Sequence, residues 1–351
     1  MSKPLATIGF VPREVFSTTE RSLETLFERT HAPFDLVCVD GASPPDVADY
    51  LRAAAEEKGF TLLRTDRYVT PTEARNLVVR WSQDNTPAAP IVFVDNDVLV
   101  GEGWLEPLVR CAEETGAWVV GPAYYEHLPE QSKLHMLGGE CRIEVGADGR
   151  RRYHEKHALQ HREVSTVNEP MVRHETELIE YHTVLVTAEF FRRTGLLDEG
   201  FRSHAEHGDL CLTARKAGGS VWVEPDSRIT YAPPRRLDEA DAEYFFLRWS
   251  EAWFEANQRH MAEKWDLDAS DQDRGRGLAW VASHRRLGLN SLRHLRKALG
   301  RKTTRSIEKR IVAPLERLAN RRRYPEAQYA NLPAAKVEVV YQPSQRVLAA
   351  A

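Results

Sequence analysis

The first 120 residues alternate short apolar runs with amphipathic stretches of helical period. That rhythm narrows the fold more than any other feature of the chain. Ala6–Phe10, Phe34–Asp40, Thr61–Arg64, Ile91–Asp95 and Trp118–Val120 read as strands. Ser17–Arg29, Pro45–Lys58, Thr72–Trp81 and Gly103–Thr115 read as the helices between them. Strands alternating with helices over short connections predict an α/β fold whose mostly parallel sheet is covered on both faces. Such sheets bind ligands outside the carboxyl ends of their strands. Asp40 and Asp95 both stand at carboxyl ends, so one crevice is expected to hold both.

The run Ile91-Val92-Phe93-Val94 enters Asp95-Asn96-Asp97, and apolar residues resume at Val98. A strand buried on both faces cannot end in two bare carboxylates cheaply, because an unpaired ionised group is costly to desolvate. A divalent cation with hard oxygen ligands, Mg²⁺ or Mn²⁺, compensates them. An Asx turn leading into the helix near Gly103 is the other reading of the triplet.

Beyond residue 120 the rhythm changes. The Asp148-Gly149 pair predicts a hairpin within Gly138–His154. His154–His174 is polar, rich in histidine, and reads as a long loop. Leu178–Val186 predicts a strand that carries His182, which is read either as a core histidine or as a substrate contact. A helix at Ala188–Thr194 and a strand at Ser220–Val223 follow. Between them lies a second polar cluster, Glu206-His207-Gly208-Asp209-Leu210. Spaced three apart, Glu206 and Asp209 share a face of a first helical turn, with His207 beside them. Any of the three could serve as a general base; acids at a helix N-terminus also suit the dipole. Asp238–Trp265 is helical and aromatic. Trp249, Trp253 and Trp265 are read as packing residues, or else as sugar-stacking faces.

Charge is unevenly placed. Val281–Pro325 holds 14 Lys/Arg against Glu308 and Glu316, a net of +12, while the whole chain is at −4. Two basic helices, Ser283–Leu299 and Thr304–Arg323, are expected there. They are read as a solvated pair or as a contact with anionic lipid, and nucleic acid is disfavoured because only Tyr324 interleaves with the charge. No run of about 18 apolar residues exists to span a bilayer. Met1-Ser-Lys-Pro-Leu leads directly into a strand and lacks a signal-peptide core, so a cytoplasmic location is expected, peripheral at the inner membrane face if the basic arm binds lipid. Cys38, Cys111, Cys141 and Cys211 are scattered and read as reduced core thiols.

Taken in order, five segments resemble the inverting family-2 glycosyltransferases of GT-A fold, over roughly residues 5–235. They are Val39-Asp40-Gly41-Ala42-Ser43, Glu73-Ala74-Arg75-Asn76, Asp95-Asn96-Asp97, Gly195-Leu196-Leu197-Asp198-Glu199-Gly200-Phe201 and Glu206-His207-Gly208-Asp209-Leu210. The resemblance implies a nucleoside-diphosphate-sugar donor (UDP- or GDP-linked), a hydroxyl acceptor (glycan or lipid-linked), inversion at the anomeric carbon, and a role in polysaccharide or glycolipid synthesis. It implies nucleotide contacts at Asp40, Glu73, Arg75, Asn76 and Asp95, with His182 beneath the sugar. It places a Mn²⁺ or Mg²⁺ ion on Asp95 and Asp97, and the catalytic base among Glu206, His207 and Asp209. Residues 1–235 are then a catalytic domain with a nucleotide-binding half (1–120) and an acceptor half (121–235). Residues 236–270 form a helical aromatic extension and 271–351 a basic helical arm and tail.

Two positions depart from the family pattern. His207 stands where the family commonly has Asp, and imidazole titrates near neutrality. Tyr231, in Ile229-Thr230-Tyr231-Ala232, stands where many relatives have a metal-binding His, so the ion is expected to rest on Asp97, the diphosphate and water. A glycosyltransferase-like binding or scaffold protein is the rival reading. A nucleotidyltransferase would need a Gly-rich loop where this chain has Val11-Pro12-Arg13-Glu14.

Overall fold

A computed structural model describes residues 3–234, 236–268, 271–329 and 332–343. The expected boundaries at 235 and 270 and the tail from 344 lie outside these. The chain begins β1 (Ala6–Val11), α1 (Thr19–Arg29), β2 (Phe34–Asp40), α2 (Pro45–Lys58), β3 (Thr61–Thr65), α3 (Pro71–Asn85), β4 (Ile91–Asp95), β5 (Val98–Val100), α4 (Leu105–Thr115) and β6 (Val119–Glu126). It continues through β7 (Leu134–Met136), β8 (Gly139–Val145), β9 (Arg151–His157), β10 (His174–Thr176), β11 (Thr183–Val186), α5 (Ala188–Thr194), α6 (Glu206–Lys216) and β12 (Val221–Tyr231). The C-terminal part is α7 (Ala242–Arg248), α8 (Glu251–Trp265), α9 (Asp271–Leu287), α10 (Asn290–Ile307), a π-helical turn Glu308–Val312, α11 (Ala313–Arg323), α12 (Glu326–Tyr329) and β13 (Val337–Tyr341).

The main sheet runs β10-β12-β6-β11-β4-β1-β2-β3-β13, with β5 on β12 and β7 on β6. Strands β4, β1, β2 and β3 are mutually parallel. β11 enters antiparallel between β4 and β6, which makes the sheet mixed. Right-handed crossovers put α1 and α2 on one face and send α3 back across the other. At Gly9 a Cβ would lie 2.7 Å from the Val78 side chain, so α3 seats close on β1 only because that position is glycine. Four strands β1, β2, β4 and β6 are buried along their whole length, as a sheet covered on both faces requires.

Several segments differ from the sequence reading. Leu178–His182 is not strand, although Leu178 and Ile179 are fully buried. The backbone of Glu180 is satisfied by one side chain instead: Tyr124 Oη accepts from its N–H (3.2 Å) and donates to its carbonyl (2.7 Å). β12 continues through Pro225 because its register shifts between Glu224 and Arg228, and a bulge tolerates a residue without an N–H. The helix expected over Asp238–Trp265 breaks at Trp249–Ser250, where the Ser250 hydroxyl caps α8 by accepting from Trp253 N–H (3.2 Å). Trp249, Trp253 and Trp265 are buried and pack. All four cysteines are free and buried. No helix among the described residues is long and apolar enough to cross a membrane.

Candidate functional site

At the end of β4 the chain turns through Asp95-Asn96-Asp97, all three buried. Asn96 serves the turn itself. Its side chain accepts from Arg13 N–H (3.0 Å) and donates to the Val15 carbonyl (2.6 Å), tying the β1–α1 loop across the strand end. Asp95 faces two guanidiniums: Arg75 Nη2 on one oxygen (2.7 Å) and Arg13 Nη1 on the other (2.9 Å). Arg75 is itself fully buried, with its guanidinium 3.8 Å from the Tyr181 ring centre. Its Nε and Nη1 have no partner among the described residues.

Asp97 has none either. Both of its carboxylate oxygens are buried and unpartnered, and burial together with neighbouring Asp95 pushes its carboxyl well above the usual range. A buried carboxylate orphaned on both oxygens fits a cation. His182 completes the set. Its Nδ1 is also unpartnered and lies 3.8 Å from Asp95 Oδ2, and one ligand atom each from Asp95, Asp97 and His182 come within 4.8 Å of one another. His182 Nε2 meets Glu180 at 3.1 Å. An imidazole that donates from one nitrogen to a carboxylate presents a fixed lone pair on the other, the arrangement of metal-ligating histidines. The Tyr231 ring packs against the His182 ring, tilted by 33° with centres 4.2 Å apart. The imidazole absent from position 231 is thus offered from the turn before β11.

The other expected nucleotide contacts are already engaged. Asp40 accepts from Ser43 N–H (2.8 Å) and pairs with Arg64. Glu73 forms a capping box with Thr70 and pairs with Arg67 (2.6 Å). Asn76 bonds Leu197 and Glu199. Of that group Arg75 alone points unsatisfied donors at the Asp95 crevice.

The polar cluster opens α6. Ala205, just before it, is held at φ 60°, and Ala42, beside Asp40, at φ 59°. A non-glycine residue in that region is strained by about 1–3 kcal/mol, and such strain gathers at functional sites. Glu206 is buried with Oε2 unpartnered; burial raises its carboxyl, but Arg13, His207, Arg248 and Arg75 more than offset this and hold it ionised. Burial alone would lower the His207 imidazole, but Glu155, 3.2 Å away, lifts it to about 9. Asp209 is occupied by Lys264 (2.8 Å) and the Trp265 indole N–H (2.9 Å). A cavity of about 290 Å³ opens here, lined by Thr72, Tyr181, Phe201, Glu206, Asp209 and Lys264 among others.

Sequence reasoning missed Arg13, Glu180 and Arg248. Arg248 is buried on α7, 3.7 Å from Glu14. Adjacent charges directly after the apolar first strand, as in Val11-Pro12-Arg13-Glu14, are the signal that could have marked the first. The other two become visible only when distant segments meet.

Residues 13–164, somewhat under half of the chain, match the family model described as Glycosyl transferase family 2. The chain resembles the family-2 glycosyltransferases. The mixed sheet with helices on both faces agrees with the fold that the resemblance implies. No curated protein matches. Among solved structures, the chain is similar to GalNAc-T7, crystallised with UDP, GalNAc and Mn²⁺ (14% identity, TM-score 0.48, 93% of this chain and 59% of that one). It is also similar to S. aureus TarS (13%, 0.44, 81% and 44%) and to TarS 1–349 (14%, 0.45, 92% and 82%). The chain therefore spans 59% and 44% of the first two neighbours, less than two thirds of either.

Proposed function

We propose that this protein transfers a sugar from a nucleoside-diphosphate sugar to a hydroxyl acceptor with inversion, and that residues 1–235 form the catalytic domain. One observation carries the reading: Asp97, buried at the carboxyl end of β4, with both oxygens unpartnered. Asp97, Asp95 and His182 would hold a divalent cation. When bound, such a cation opposes the charge that develops on a leaving diphosphate. Arg75 would offer the diphosphate its unpartnered Nε and Nη1, braced by Asp95 and Tyr181. Asp40 sits at the end of β2, two strands from β4, where the nucleobase would lie.

Of the three base candidates, Glu206 is the one equipped to accept a proton at neutral pH. It is ionised and one oxygen is free. His207 is already protonated by virtue of Glu155, and Asp209 is held by Lys264 and Trp265. A direct displacement needs no enzyme nucleophile. The acceptor hydroxyl would enter beside Glu206, give up its proton to Oε2 and attack from the face opposite the diphosphate.

The basic arm adds a second element. Ile311, Leu315 and Leu318 recur at helical spacing and are 55%, 61% and 47% exposed. Arg301, Lys302, Arg305, Lys309, Arg310 and Arg322 are exposed on the same arm. An apolar stripe beside cations suits the surface of an anionic membrane, where a lipid-linked acceptor would reside.

Calorimetric titration of UDP and GDP, with and without Mn²⁺, on wild type and Asp97→Ala tests the donor site. Metal-dependent binding of one nucleotide, lost in the variant, supports it. No binding of either would remove the reading and leave the binding or scaffold protein, for which the occupied His207 is the motive. Sugar-nucleotide hydrolysis separates those two, since a pure binder yields none.

A further inference from the structure

We propose that His135, His157 and Glu180 form a second cation site of the imidazole-rich class that takes Zn²⁺, adjoining the Asp95–Asp97 site through Glu180, whose Oε2 also meets His182 Nε2 at 3.1 Å. The three residues come from β7, the end of β9 and the turn before β11. His135 Nε2 lies 3.0 Å from Glu180 Oε2, and His157 Nε2 lies 3.4 Å from Glu180 Oε1. One donor atom of each falls within 4.8 Å of the others. The side chains are 14%, 12% and 10% exposed, so the donors are sheltered yet reachable.

The surroundings orient these donors. His135 Nδ1 meets Glu126 Oε2 at 3.4 Å and Nε2 faces Glu180 Oε2, so an ion between Nε2 and Glu180 would take the place of the proton they share. Glu126 is itself fixed by Lys133 and His161, each at 2.9 Å. A carboxylate behind a ligating imidazole sets its tautomer and raises its basicity. Gln160 Nε2 lies 3.0 Å from His157 Nδ1, and His157 Nε2, which faces Glu180, also meets Glu155 Oε1 at 3.2 Å.

The donor sets divide the metals. Asp95 and Asp97 offer hard oxygens, suited to Mg²⁺ or Mn²⁺. Two imidazoles and one carboxylate, with a fourth position left for water, suit Zn²⁺. The ion would fasten the β8–β9 hairpin to β7 and to the turn that presents His182. Glu155, two residues before His157 on the same hairpin, bonds His207 beside Glu206. The clasp therefore bears on the placement of the α6 cluster without touching the donor.

The test uses the full chain, stripped with EDTA, equilibrated with Zn²⁺ alone, freed of excess metal by gel filtration and analysed for bound zinc. The expected result is one zinc per chain in wild type and in Asp97→Asn, with loss in His135→Ala. Glu126→Gln should weaken zinc by about 10–100-fold. His157→Gln stands in if His135→Ala fails to fold by circular dichroism. Hydrogen exchange across 151–157 should slow when zinc is added to wild type. Three results would each overturn the site: no zinc retained by wild type, zinc retained undiminished in both histidine variants, or zinc lost with Asp97→Asn.

Discussion

Asn76 grips the backbone of Leu197 from both sides. Its Nδ2 donates to the Leu197 carbonyl at 2.8 Å, and its Oδ1 accepts from the Leu197 N–H at 2.9 Å. The second turn of α3 is thereby locked to the segment that leads into α6, which joins the Arg75 and Glu206 sides of the site. Asn76→Ala would leave a buried N–H and C=O unpaired and should cost about 1–3 kcal/mol. Urea unfolding measures this, and an unchanged midpoint would remove the clamp from the account.

Glu206→Gln keeps the shape of the side chain and abolishes its basicity. Loss of a general base typically lowers turnover by about 10²–10⁴-fold. Turnover should fall in that range with nucleotide affinity unchanged, while His207→Gln should reduce it far less. Equal losses in the two variants would return the assignment to the pair.

Arg75 is one of two cations beside a fully buried Asp95. Removing one partner of a buried pair is typically worth about 3–5 kcal/mol. Arg75→Ala is expected to destabilise the fold by that order. Arg75→Lys keeps the charge but loses the planar stack on Tyr181, so it should recover stability only in part and nucleotide binding hardly at all. Full recovery of binding by lysine would argue against Arg75 as a diphosphate clamp.

Asp198 supplies a pH dependence away from the metal-binding groups. Burial pushes its carboxyl up, but hydrogen bonds from Lys264 and His260, both 2.9 Å away, outweigh this and hold it below its ordinary value. The Gly200 N–H also donates to it (3.0 Å), and Asp209 shares Lys264. A carboxylate depressed in the folded state stabilises fully above its unfolded value, near 3.9, and loses that contribution as pH falls through the folded one. Stability should therefore decline in acid, and Asp198→Asn should flatten part of that limb. Parallel acid curves for the two proteins would show that the pairing carries no linkage.

Vesicle flotation reads the basic arm. Binding to vesicles with anionic lipid should exceed binding to neutral ones and weaken with salt, since each nearby Lys or Arg adds about 1 kcal/mol. Substituting Ile311, Leu315 and Leu318 by serine should lower it further. Equal recovery with neutral vesicles would leave the arm a solvated helix pair.

Much of the first half was legible in sequence. The bounds of β2, α2 and β4 coincide with the expected ones, because buried parallel strands are continuous apolar runs and their helices carry a 3.6-residue period. Leu178–His182 misled for the same reason. Its residues are as buried as a strand, but the backbone of Glu180 is bonded to the Tyr124 hydroxyl, 56 residues away, instead of to a neighbouring strand. The reach of β13 back to β3 was equally hidden, since its pairing partner lies more than 270 residues earlier.

Local order in the sequence by itself determined the α/β rhythm, the acids at the strand ends and the two polar clusters. These follow from periodicity and from the cost of burying charge, which neighbours along the chain reveal. Which carboxylates are free and which are already paired was decided by tertiary structure alone. Asp40, Asp209 and Asp97 look alike in sequence. Arg64, Lys264 and Trp265 occupy the first two, and no side chain among the described residues reaches the third. The same is true of the imidazoles: His135, His157 and His182 converge on Glu180 because β7, β9 and the turn before β11 meet there. Availability for chemistry depends on partners brought from distant segments, and no pattern within a short window of residues contains them.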